Sequence, residues 1–112
     1  IIARNQDDHT KNIAFLLPQG GEWRLSPAYD VNWAYNPQGD WTSQHQMSIR
    51  GKRDNFTLDD LLVFAKENSI KKPQEMIGQV TSIVMDWPKY AAQTGVDKNR
   101  ISIIGKTHRK LK

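Results

Sequence analysis

Residues 7–12, Asp-Asp-His-Thr-Lys-Asn, crowd two carboxylates, an imidazole, an ammonium and a primary amide into one short stretch, directly ahead of the apolar run at 13–17. A carboxylate at Asp7 can orient a hydroxyl and receive its proton, and an amide oxygen at Asn12 can hold a hard cation. A further carboxylate, Asp30, follows a turn-forming segment at 18–22 and a second short apolar stretch. Taken singly, each side chain also has an ordinary local use: Asp7 or Asp8 capping a turn, Asn12 bonding nearby backbone, His9 a structural hydrogen-bonder. Their order along the chain is what points to chemistry.

The interval of five from Asp7 to Asn12 is the one that protein kinases use in H-R-D-L-x-x-x-N, where one group orients the acceptor hydroxyl and the other holds Mg²⁺ from the same loop. Counting from Asp8 gives four, so the register favours Asp7, with Asp8 left open as a second participant. Asp30 falls where the Asp of D-F-G is expected, although Val31 and Asn32 follow it. A hydrolytic metal site built from Asp7, His9 and Asp30 is a rival, but H-E-x-x-H is absent and the spacings of His45 and His108 recruit neither by local geometry. Ser26, before Pro27, has no G-x-S-x-G context.

These groups need elements to place them. The Pro and paired Gly at 18–21 predict a β-hairpin, 13–17 against 22–25, and the stretch 26–55 reads as a long loop with a functional or pinned role. From Phe56 onward the texture is helical. Thr57 and Asp60 form a capping box with Phe56 stapling onto Leu61, and Pro73 opens a second helix. Met76, Ile77, Val80, Ile83, Val84 and Trp87 recur there as one buried stripe. A third helix restarts at Pro88 and stops at Gly95, and Asp97 caps a fourth that carries Ile101, Ile104 and Leu111 inward. The expected organisation is one domain over 1–112, with the chemistry in 1–55 and a helical bundle in 56–112.

Composition sets outer limits. At 112 residues, 38% hydrophobic and 25% charged, the chain suits a folded domain, and no apolar run is long enough for a membrane span. Without cysteine there is no disulfide, thiolate catalysis or cysteine-bound zinc, which is compatible with a reducing compartment. The formal charge of +4 is concentrated around residues 48–53, 69–72 and the tail. The opening Ile-Ile-Ala-Arg reads like the interior of an element, so a longer parent chain is expected.

The combination of 3–17, 21–31, 45–65 and 87–96 resembles the C-terminal lobe of HipA-like kinases, carried most specifically by N-x-D-D-H-x-K-N and L-S-P-A-Y-D. The resemblance implies a mainly α fold: the helical C-lobe of a protein-kinase-like (α+β) architecture, with a β-hairpin carrying the catalytic loop. It implies a cytoplasmic serine/threonine kinase using ATP and Mg²⁺, often the toxin of a pair whose HipB-like antitoxin binds DNA. Asp7 would then be the catalytic base, His9 and Lys11 its loop supports, and Asn12 and Asp30 the metal ligands. Arg50, Lys52 and Arg53, in a segment characteristic of the family, would be phosphate or acidic-peptide contacts. These 112 residues contain no Gly-rich loop or N-lobe lysine, so phosphate transfer is expected only from a longer chain. Two alternatives follow. Asp-x-His-x-x-Asn also resembles phosphatidylinositol kinases, and a non-catalytic module could dock an antitoxin or touch DNA through Lys106, Arg109, Lys110 and Lys112.

Overall fold

The computed structural model describes residues 1–112. Gly20 takes φ +70°, the left-handed value a type II turn needs at its third residue, and the Gly21 amide donates to the Pro18 carbonyl at 2.9 Å. This turn brings β1 (Phe15–Leu16) against β2 (Arg24–Leu25), antiparallel, with Phe15 opposite Leu25 and Leu16 opposite Arg24. The hairpin is therefore where it is expected, but its ladder is shorter than 13–17 against 22–25. The physical reason is its exposure on both faces: Ile13, Phe15, Leu17, Trp23 and Leu25 are all more than half exposed, and no second layer holds the outer pairs.

The stretch after β2 has no regular element before residue 58. It is nevertheless pinned. Ala34 exchanges backbone hydrogen bonds with the Arg4 carbonyl and the Gln6 amide, each at 3.0 Å, Gln6 Nε2 donates to the Thr42 carbonyl at 3.2 Å, and the His45 amide donates to the Arg53 carbonyl at 2.9 Å. The Trp33 indole N–H reaches Thr107 Oγ1 at 2.9 Å, tying the loop to the last helix.

Four helices follow: α1 (Leu58–Glu67), α2 (Pro73–Met85), α3 (Trp87–Gln93) and α4 (Lys98–Thr107). Their starts obey the capping rules. Thr57 and Asp60 form the reciprocal box on α1, Pro73 is the first residue of α2, and Asp97 accepts from the Asn99 and Arg100 amides at the head of α4. Gly95 adopts φ +76° just after α3. The Trp87 indole donates to the Ile101 carbonyl at 3.0 Å and so joins α3 to α4, where a Cβ on Gly105 would stand 3.3 Å from the ring. The fold is mainly helical with one small antiparallel sheet.

Two expectations fail: α4 ends at Thr107, so Leu111 lies beyond the helix expected to carry it, and the second concerns α2. The apolar repeat beginning at Met76 is not one buried stripe: α2 ends at Met85, Trp87 belongs to α3, and Met76, Val80 and Ile83 are 53%, 50% and 59% exposed. α1 and α3 pack on α2, and the side carrying Met76, Val80 and Ile83 stays exposed. Eight residues are buried in all, and half of these, Gln6, His45, Asp60 and Arg109, are polar. The solvent-accessible surface of 8492 Å² exceeds the roughly 6,300 Å² typical of a monomer of this mass. No helix is long and apolar enough to cross a membrane.

Candidate functional site

The polar cluster is built on a single 3₁₀ turn, Thr10–Asn12, entered from an extended His9. Asn12 Nδ2 donates back to the Asp7 carbonyl at 3.1 Å, closing the loop on itself and turning the amide oxygen away from that contact. The Tyr29 hydroxyl donates to the Lys11 carbonyl at 2.9 Å, so the chain leaving the hairpin is fastened to the loop that entered it. Asp30 comes next, at φ +54°, a left-handed conformation that Asp tolerates better than most residues. Asn5 Nδ2 donates to its carbonyl at 3.3 Å and Asn32 Nδ2 to its Oδ1 at 3.0 Å, which leaves the second carboxylate oxygen for other partners.

Asp8, His9, Asn12 and Asp30 line one hollow of about 130 Å³, together with Asn5, Tyr29 and their apolar neighbours. The structure thus brings His9, Asn12 and Asp30 together. Asp7 and Lys11 stand outside that lining; the Asp7 carboxylate is half exposed, and its ion-pair partner is His9 Nε2 at 3.9 Å. Asn5 Oδ1 and His9 Nδ1 are buried without a protein partner.

The two adjacent carboxylates have separate fates. Asp8 Oδ2 lies 2.8 Å from His45 Nδ1, and Asp8 Oδ1 accepts from the Gln46 amide at 2.7 Å. Burial works against the Asp8 charge, yet these two hydrogen bonds outweigh it and hold the carboxyl below its ordinary range. Burial likewise pushes the His45 imidazole below its ordinary range, against the pull of Asp8. His45, set aside on local spacing, is thus recruited to the loop across 37 residues. Nothing in sequence spacing marks that pairing, nor the parts played by Asn5, Gln46 and Arg109.

No group of three or more His, Asp and Glu side chains is placed to hold a metal ion. The hydrolytic set Asp7, His9 and Asp30 is therefore not assembled. Asn12 and Asp30 both line the hollow, and each carries an oxygen of the kind that hard cations take.

The family model described as the HipA-like C-terminal domain matches residues 1–101. The chain belongs to this family. No curated protein and no solved structure matches it significantly.

In this HipA-like domain the basic segment after His45 has internal partners. Arg50 pairs with Glu67 at 3.2 Å, Lys52 with Asp60 at 2.7 Å, and Arg53 Nε donates to the His45 carbonyl. Two of these cations therefore brace the loop against α1, and none lines the hollow. The basic tail is also not uniform. Arg109 is buried, with its guanidinium on Asp54, Gln6 and His45, and is withdrawn from any nucleic-acid face; Lys110 and Lys112 remain exposed.

Proposed function

We propose that this HipA-like domain is the C-terminal lobe of a serine/threonine protein kinase, and that it contributes the acceptor-activating and metal-holding half of the centre. The observation that carries the reading is the convergence of Asn12 and Asp30 on one hollow beside a loop whose Asp7 carboxylate stays accessible while Asp8 is engaged.

In the reaction, Asp7 orients the hydroxyl of a serine or threonine and accepts its proton as the oxygen bonds to the γ-phosphorus of ATP and the bond to the β-phosphate oxygen breaks, releasing ADP. Asn12 and Asp30 would hold Mg²⁺, which when bound neutralises charge on the phosphates. His9, within 3.9 Å of Asp7, and Lys11, whose carbonyl is fixed by Tyr29, support the loop. The nucleotide-gripping elements of a kinase are not among these residues, so transfer belongs to the full-length protein. The uncovered hairpin and α2 faces fit a piece that packs within a larger lobe. Protein substrates and a HipB-like antitoxin are the partners this reading implies, with DNA reached through the antitoxin or weakly through the tail lysines.

The test is phosphate transfer from labelled ATP to protein by the full-length protein carrying Asp7→Asn or Asp30→Asn. Each is expected to fall by a factor on the order of 10² or more. Near-normal rates in both variants remove the reading.

A further inference from the structure

The largest fully buried side chains of this chain are His45 and Gln6, and a third polar residue, Arg109, is also buried, at 9% exposed. Apolar residues normally take such places. Here the centre is a directed line of hydrogen bonds: Arg109 to His45 at 2.9 Å, then His45 to Asp8 at 2.8 Å.

Its direction follows from the donors available. A guanidinium carries donors and no acceptor, so His45 Nε2, facing Arg109, must be the unprotonated nitrogen. The single ring proton then sits on Nδ1 and is donated to Asp8. Both ends are anchored. Arg109 also donates to the Ile1 carbonyl at 3.0 Å and to Gln6 Oε1 at 3.3 Å, pairs with Asp54, and lies with its guanidinium 5.6 Å from the centre of the Phe56 ring. Phe56 in turn meets His45 edge-on at 5.4 Å. At the far end the Gln46 amide takes the second Asp8 oxygen.

This line bears on the loop. Exposure alternates along it: Gln6 is fully buried, the Asp7 carboxylate is 49% exposed, and the Asp8 carboxylate is 25% exposed. Such alternation is that of extended chain, in which neighbouring side chains leave on opposite sides. Fixing Asp8 inward therefore fixes the direction in which Asp7 leaves the backbone.

We propose that Asp8, His45 and Arg109 are positioning residues, a largely buried relay that sets the orientation of Asp7 and whose outer end, Asp8, also stands in the wall of the hollow; the role in transfer rests on the kinase reading above. The relay joins the loop to residues 37 and 101 positions away, so the C-terminal tail is a working part of the centre. A loss of alignment of about 1 Å at a reacting group can cost on the order of 10²-fold in rate.

The geometry also dictates how the relay breaks. In Asp8→Asn the amide oxygen can keep the Gln46 contact, but its NH₂ then faces the His45 Nδ1–H. Moving the ring proton to Nε2 only transfers the conflict to Arg109. Removing the donor at that end, with Arg109→Met, lets His45 change tautomer and accept from Asn at position 8.

The experiment is a double-mutant cycle in the full-length protein. Asp8→Asn is expected to lower kcat about tenfold or more while the KM for MgATP changes by less than about threefold, and to cost much less in the Arg109→Met background. Equal losses in both backgrounds, or a wild-type kcat in Asp8→Asn, overturn the relay. Nitrogen-15 chemical shifts of the wild-type His45 ring give a readout that needs no variant to fold: protonation at Nδ1 supports the relay and protonation at Nε2 overturns it. Asp7→Asn run in parallel separates the two readings. If it is inactive while Asp8→Asn is fully active, only the relay falls; if it transfers phosphate normally, the kinase assignment falls, and the catalytic role of the relay with it.

Discussion

Asn12 Nδ2 donates to the Asp7 carbonyl at 3.1 Å, so the residue proposed to hold metal also shapes the loop that presents the proposed base. The two roles use opposite ends of one amide. Asn12→Ala removes both: stability should fall by about 1 kcal/mol for the lost hydrogen bond, and the Mg²⁺ concentration giving half-maximal transfer should rise. In Asp7→Asn that Mg²⁺ midpoint should stay where it is while the maximal rate collapses. A magnesium titration of the two variants side by side checks the difference.

Asp60 gathers the Thr57 amide, the Thr57 hydroxyl and Lys52 Nζ, all within 2.9 Å. Lys52 is the largest cause, followed by the Thr57 amide, of an Asp60 carboxyl held down to about 2 from the usual 3.8. A folded-state value below the unfolded one stabilises at pH above 3.8, and this contribution is lost as the pH falls through about 2. Asp60→Asn should therefore lower the melting temperature near neutrality, with the gap to wild type closing in that acid window. Thr57→Ala should cost about 1 kcal/mol, and thermal melts over a pH series read both.

His45 and His108 are both pushed below the ordinary imidazole value of 6.5 by burial. The unfolded chain thus takes up protons first as the pH falls through 6.5, and stability must drop below that point until the folded-state values are reached. Melting temperature should decline as the pH falls below about 6.5, and His108→Gln should reduce the slope without abolishing it. A melting temperature that stays flat there would contradict the neutral state that burial of His45 and partial burial of His108 favour.

Arg109 and Lys110 are neighbours with opposite environments, one buried and one exposed. Arg109→Ala takes the donor from His45 Nε2 and the Ile1 carbonyl, while Asp54 and Gln6 keep Arg4, and should cost about 3 kcal/mol. Lys110→Ala should change stability by less than about 0.5 kcal/mol. Should the protein bind duplex DNA, Lys110→Ala should reduce the salt slope by about one, measured by titration across a salt series.

Much of this was legible from residue order. The turn at 18–21, the caps at Thr57 and Asp97, the Pro start of α2 and the stop at Gly95 are local features, and each appears where local chemistry demands it. The return of Asp30 toward the 7–12 loop was readable, because a hairpin brings the chain back to its starting point, although Asp7 and Lys11 lie outside the hollow it shares with Asn12. What escaped was long-range or absent cover. His45 meets Asp8 and Arg109 across separations that carry no spacing signal. The Met76 to Trp87 repeat states which face of a helix is apolar, and it cannot state whether this chain covers it. Similarly, the charges of Arg50 and Lys52 were plain, but their partners Glu67 and Asp60 lie on α1 and were not.

A centre in which half the buried residues are polar has a thermodynamic counterpart. Apolar exposure on unfolding raises heat capacity and polar exposure lowers it, so this chain should fall below the roughly 1.3–1.7 kcal/mol/K typical of its length. Its free energy of unfolding, taken alone, should then vary gently with temperature.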